Sequence, residues 1–269
     1  MKPFLAGASL LILAMAAGSV LARDAGAVEV ARFQAPEARQ GVAVGAAHIY
    51  AVDNSTIAKY DKVTRAKLAE WKGDPARFPH INSCAVIGAE LVCANSNYPQ
   101  TPMRSSVEVF DPATLAHLRS IPLEGAPGSL TWVDRRDGSW WAGFANYDGR
   151  GGEAGRDHRA TVVVRFDEAW APKQTWRYPD EVLARFAPSS NSGGIFGSDG
   201  LIYASGHDRP EIYALKADPA SPTLSLVAIL PAPIEGQAIA WDPVQPRIVW
   251  GISRANREVV AFRAPPVVP

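Results

Sequence analysis

The sequence predicts an all-β chain wound into a five-bladed β-propeller, on three observations: a strand that rhymes five times, the spacing of the copies, and a spare strand ahead of the first. The copies read Ile57-Ala-Lys-Tyr60-Asp61, Val107-Glu-Val-Phe110-Asp111, Val163-Val-Arg-Phe166-Asp167, Glu211-Ile-Tyr-Ala-Leu215-Lys216 and Glu258-Val-Val-Ala-Phe262-Arg263. Their closing apolar residues Tyr60, Phe110, Phe166, Leu215 and Phe262 lie 50, 56, 49 and 47 positions apart. A repeat of roughly 40 to 50 residues built of short strands is a propeller blade. Six blades are the alternative, with a degenerate one hidden in the long third period.

Each period holds four strands, A to D, of which the rhyme is C. The A strands are expected to begin near Gly41, Asn82, Ser129, Ser192 and Gly236, with D strands near Trp71, Leu118, Trp176 and Val227. The fifth copy runs into Arg263-Ala-Pro-Pro without a D strand. Val28-Glu-Val-Ala-Arg-Phe33 has the D pattern and is predicted to pair with Glu258 to Phe262. That pairing closes the ring and removes an open sheet edge.

Residues 1–22 read as a signal peptide: Lys2, an apolar stretch from Leu5 to Ala17, and a small-x-small ending at Val20-Leu-Ala22. A retained membrane anchor is the competing reading. Residues 23–269 form one domain, expected in the periplasm or secreted, with no other segment able to cross a bilayer. Without the leader the chain carries 26 basic and 27 acidic residues. Near-zero net charge excludes a nucleic-acid or polybasic membrane role, since phosphate binding needs a concentrated positive surface.

Both cysteines fall in one hairpin, Cys84-Ala-Val-Ile-Gly88-Ala89-Glu-Leu-Val-Cys93. A two-residue loop at Gly88-Ala89 sets Cys84 opposite Cys93 as a non-hydrogen-bonded pair, where side chains approach closely. In an oxidising compartment a disulfide follows; two buried free thiols are the alternative.

The loops divide by face. The A to B and C to D turns are short, as at Gly88-Ala89, Arg136-Asp-Gly138, Ser198-Asp-Gly200 and Asp111-Pro-Ala-Thr114. The B to C and D to A loops are long and polar and carry nearly all the candidates for chemistry. Residues at the starts of A strands face the axis, so Gln40, His80 or Asn82, Ser129, Asn191, and Glu235 or Gln237 make a polar ring. His207, Glu235 and His80 are the candidate catalytic groups, as general acids or bases. Asn82, Asn97, Asn146, Asn191, Asp208, Gln237 and Arg254 are the candidate ligand-binding residues. Glu235 is the carboxylate expected to be buried.

Each candidate also has a structural reading. Asp208 can cap the turn before Pro210, His80 can hold its own loop, Glu235 can tie down backbone N–H groups, and Asn tolerates left-handed turns. Trp140 and Trp141 fit packing between blades better than a sugar platform. A divalent cation is left open: oxygen ligands with Glu235 and Asn191 suit Ca²⁺, whereas His80 and His207 with Glu235 suit a transition metal. The chain has no HExxH, CxxC pair, GxSxG elbow, Walker loop or EF-hand loop.

Pro79-His-Ile-Asn82-Ser, Ser96-Asn97-Tyr98-Pro, Gly128-Ser-Leu-Thr-Trp-Val-Asp134, Phe144-Ala-Asn-Tyr-Asp148, Ser190-Asn191-Ser-Gly-Gly194, Gly206-His-Asp208-Arg-Pro-Glu211 and Glu235-Gly-Gln-Ala-Ile-Ala-Trp-Asp242 together resemble a family of exported bacterial β-propeller proteins loosely labelled cycloisomerase-like. At the level of fold the chain is similar to lactonase, gluconolactonase and muconate-cyclase propellers. The resemblance implies little as to activity; it is the collection of histidines and carboxylates on one face that favours an enzyme acting on a small polar or anionic metabolite, by lactone hydrolysis or the reverse cyclisation or lyase chemistry. A non-catalytic propeller that holds a small-molecule ligand, or presents its rim to a protein partner, is the alternative.

Overall fold

The computed structural model describes residues 26–268, so the leader expected over residues 1–22 lies outside the described residues. Five antiparallel sheets of four strands surround an axis. Blade 1 is Gly41–Val44, His48–Asp53, Thr56–Asp61 and Lys67–Lys72; blade 2 is His80–Ile87, Glu90–Ser96, Ser105–Phe110 and His117–Pro122. Blade 3 is Ser129–Arg136, Ser139–Ala145, Val162–Phe166 and Pro172–Arg177; blade 4 is Gly193–Phe196, Ile202–Ser205, Glu211–Lys216 and Ser225–Pro231. Blade 5 takes Ala240–Trp241, Ile248–Ser253 and Glu258–Arg263 from the end of the chain and Val28–Gln34 from its beginning. The closing register runs from Val28 opposite Arg263 to Gln34 opposite Glu258.

The core is distributed between blades. Five apolar clusters each join two neighbours, as where Val42, Ile49 and Tyr60 of blade 1 meet Trp250, Ile252 and Val259 of blade 5. Inner strands are therefore buried on both faces. Val92 and Ala94 pack toward blade 3, while Leu91 and Cys93 on the same strand pack toward blade 1. This explains why the B strands read as near-continuous apolar runs. At the junction of blades 3 and 4, a Cβ on Gly143 would come within 2.0 Å of the Trp132 indole and one on Gly194 within 2.4 Å of it. Glycine is required at both positions to seat that ring.

The rhyming aspartates end the C strands by capping the following turn. Asp61 Oδ1 accepts from the N–H groups of Val63 and Thr64, and Asp111 Oδ1 from those of Ala113 and Thr114. Asp137 and Gly138 both have positive φ, the two-residue hairpin geometry that follows strand twist. Trp140 stacks on Trp170 and Trp141 on Trp176, so both serve packing.

Three features depart from the sequence expectation. The long third period holds an extended B to C loop with a 3-10 turn at His158–Ala160 in place of a degenerate blade. A helix, Asp180–Phe186, covers the passage to blade 4 by burying Val182, Leu183 and Phe186. The last A strand does not start near Gly236 and comprises only Ala240–Trp241, because Gly236 and Gln237 both adopt positive φ and break the extended chain.

Cys84 and Cys93 are direct cross-strand partners behind the closing pair Ile87 and Glu90, and they are bonded. Alkylation of the unfolded, unreduced protein is expected to find no free thiol. Reduction should lower stability by about 2–3 kcal/mol; two labelled cysteines in the unreduced protein would show the pairing absent.

Candidate functional site

All five blades contribute to one axial cavity of about 450 Å³ on the long-loop face. Blade 1 supplies Arg39, Gln40 and Asn54, blade 2 His80, Asn82 and Tyr98, and blade 3 Tyr147 and Arg150; Ser189, Ser192 and His207 come from blade 4 and Gln237 and Arg254 from blade 5. An adjoining hollow of about 400 Å³ shares Arg39, His207 and Arg254 with it and adds Asp208, Glu235 and Arg257. Among the described residues no carboxylate lines the axial cavity itself, which holds three arginines and two histidines.

The blade 2 strand positions its polar pair through a bulge. The pairing steps from Ile81–Asn95 to Ser83–Ala94, leaving Asn82 as the extra residue, and bulges re-aim side chains beside sites. His80 Nδ1 lies 2.8 Å from Asn54 Oδ1, which also accepts from Gln40 Nε2 at 3.0 Å. Asn54 Oδ1 can only accept, so Nδ1 carries the proton. Nε2 is then the acceptor, facing Asn82 Nδ2 at 3.3 Å. Asn82 Oδ1 is buried without a donor.

Burial, reinforced by the positive charge of Arg254 and by His207, pushes the His80 pKa down to about 4 from 6.5. The imidazole is therefore neutral across ordinary pH. Because the folded-state value is depressed, the unfolded chain takes up the proton first as pH falls. Stability should decline between about pH 6.5 and pH 4, and that part of the slope should vanish in His80→Gln. Identical pH profiles of thermal unfolding for the two proteins would refute a neutral buried His80.

On the opposite wall a chain of hydrogen bonds crosses two blades. Arg254 Nη1 donates to His207 Nε2 at 2.6 Å, and His207 Nδ1 donates to Asp208 Oδ1 at 2.5 Å. Gln237 Nε2 donates to the His207 carbonyl at 3.2 Å. Beneath it, Gly236 at φ +69° lets the chain cross blade 4 so closely that a Cβ would lie 2.3 Å from the Gly206 carbonyl oxygen. Asp53 sits behind Arg39 and Arg257, at 3.6 and 3.8 Å. Burial raises its pKa even though Arg39, Arg257 and Arg254 oppose the shift. Arg150 and Arg254 have no carboxylate partner among the described residues.

The structure thus brings His80, Asn82, His207, Gln237 and Arg254 to one cavity. It places Asp208 and Glu235 in the adjoining hollow and keeps three of the asparagines elsewhere. Glu235 is half-buried rather than enclosed, and it accepts from Ser253 Oγ and the Ala255 N–H, fastening the blade 5 loop. Asn191 is fully buried, accepting from Thr131 Oγ1 and Trp132 Nε1 and donating to the carbonyls of Gly193 and Ser205. All its capacity goes to pinning blade 3 to blade 4. Asn146 donates to the Pro127 and Ala160 carbonyls, and Asn97 closes its loop through Pro102 and Arg104.

The residues that sequence reading missed are Arg39, Asn54, Tyr147 and Arg150. Every one stands on a B to C or D to A loop, so a tally of the basic and aromatic residues on those loops would have found most of them. The proposed metal candidates His80, His207, Glu235 and Asn191 do not gather at one point. Among the described residues, three ligating side chains gather only at Asp148, Asp157 and His158 on the rim. There Asp148 already accepts from the backbone and ring of His158, and Asp157 is paired with Arg159.

No family model and no curated protein sequence matches the chain. Among solved structures it is similar to a chain of a mitotic checkpoint complex, at 10% identity and a TM-score of 0.46, covering 97% of this chain and 99% of that one. It is also similar to the WD40 β-propeller domain of Doa1, at 9% identity and a TM-score of 0.44, covering 82% of this chain and 77% of that one. The five-bladed architecture of this protein stands on its own strand pairing.

Proposed function

We propose that this protein is an exported propeller whose axial cavity binds a small organic anion. The observation that carries this function is the lining: three arginines and two histidines, one from each of the five blades, with no carboxylate among the described lining residues. Guanidinium groups recognise carboxylates through paired N–H donors, and a walled cavity strengthens each contact over its value in water. Export to the periplasm or beyond fits the apolar leader of residues 1–22 and the hairpin disulfide. The direct test is calorimetric titration of the purified protein with a panel of small carboxylates. Saturable binding that weakens with added sulfate supports the proposal, and no binding by any acid overturns it.

Catalysis on that anion is the second reading, favoured by one specific arrangement: His207 is oriented by Asp208 and touches Arg254. In lactone opening, His207 would take a proton from the attacking water while Arg254 stabilises the oxyanion, and the protonated His207 would return that proton to the ring oxygen as the acyl C–O bond breaks. Glu235, engaged by Ser253 and Ala255, is left to hold the loop. A screen of lactones and unsaturated acids tests this. Turnover that falls about 10²-fold in His207→Ala would establish a positioned acid or base, and binding without turnover leaves the protein a binding module.

A further inference from the structure

The cavity is asymmetric in a way that charge alone does not explain. One wall is aromatic: the rings of His80 and Tyr98 lie 5.0 Å apart at 40°, and those of Tyr98 and Tyr147 lie 4.8 Å apart at 50°. Three successive rings inclined to one another form a curved surface rather than a flat stack. Gly151, at φ +81°, has no room for a Cβ, which would come within 2.4 Å of the Tyr98 ring. The loop that carries Arg150 is thus pressed onto the far edge of the wall. The opposite wall holds Arg39 and Arg254. Between them Asn82 lines the cavity with a buried Oδ1 that receives no hydrogen bond. Leaving such an acceptor unmatched is unfavourable until a donor arrives.

From this juxtaposition, and resting on the anion-binding function above, we infer that the ligand is a planar unsaturated ring acid bearing a hydroxyl or N–H donor. The ring lies against His80, Tyr98 and Tyr147, where aromatic contacts add to simple area burial. Its carboxylate meets the guanidinium groups of Arg39 and Arg254, and its donor satisfies Asn82 Oδ1. The neutral state of His80 suits this arrangement, since an uncharged imidazole stacks without a desolvation cost.

Isothermal titration with benzoate, cyclohexanecarboxylate and 3-hydroxybenzoate separates these elements. Benzoate is expected to bind about fivefold more tightly than its saturated counterpart in the unaltered protein and in Tyr98→Phe, and equally in Tyr98→Leu. The hydroxyl should add about fivefold, a gain lost in Asn82→Ala. Equal binding of benzoate and cyclohexanecarboxylate, or a preference that survives Tyr98→Leu, overturns the inference. If both acids bind equally yet weaken in Arg254→Met, ring selectivity falls and anion binding stands. If none of the three binds, both fall.

Discussion

Asp242→Ala should lower stability by about 3–5 kcal/mol and the melting temperature by roughly 10 °C, the cost of stripping one partner from a buried ion pair. The Asp242 carboxylate is fully enclosed, 2.7 Å from Lys62 Nζ. Lys62 also reaches the Gly45 and Ala46 carbonyls, and Trp250 Nε1 donates to Asp242 Oδ2 at 2.9 Å. The pair therefore bolts blade 1 to blade 5, beside the seam where the two ends of the chain meet. Burial pushes the Asp242 pKa up. Hydrogen bonds from Lys62, the Gln245 N–H, Trp250 and the Val244 N–H outweigh it and hold the carboxyl below its ordinary 3.8. A depressed carboxyl contributes stability above 3.8, lost as pH falls through the still lower folded-state value. Lys62→Met with Asp242→Leu should recover part of the loss, since no charge is then stranded, but the turn that Asp242 caps stays open. Chemical denaturation with all three proteins measures this. A change under 1 kcal/mol in Asp242→Ala would show the bolt to be idle.

The architecture was legible because a propeller repeats its local physics. The capped C strands recur with Asp61, Asp111 and Asp167, and the hairpin of Cys84 and Cys93 has one register that keeps its apolar faces buried. Closure by Val28 to Phe33 followed from the missing fifth D strand and stands as a full antiparallel pairing. What escaped was set by contacts between blades. Gly236 is left-handed because the blade 4 loop crosses it, which shortens a strand that propensity would extend. Asn191 sits at an axial register position, yet it turns to the indole of Trp132, a neighbour distant in sequence. Glu235 has a backbone donor within reach on a turn whose path the sequence does not disclose. The arginines come singly from separate blades, so no local charge run announces them. Their common destination exists only after the ring has closed.

Arg254→Met should weaken binding of a small carboxylate by about 10² or more, because a desolvated charge-assisted contact is lost outright. Arg254→Lys should recover only part of this, since an ammonium keeps the charge but cannot present two parallel donors. Two consequences separate a lost ligand contact from a collapsed site. The guanidinium lowers the His80 pKa, so its removal should move the His80 titration upward, visible in the pH dependence of stability without any ligand. It also frees His207 Nε2, which now accepts from Arg254, while the Asp208 contact still fixes the ring. The fold should be unaffected, because Arg254 has no carboxylate partner among the described residues and stands outside the apolar clusters. Titration calorimetry of the three proteins with benzoate decides the matter. Unchanged affinity in Arg254→Met would mean that the anion is held elsewhere in the ring, and the axial cavity would lose its assigned ligand.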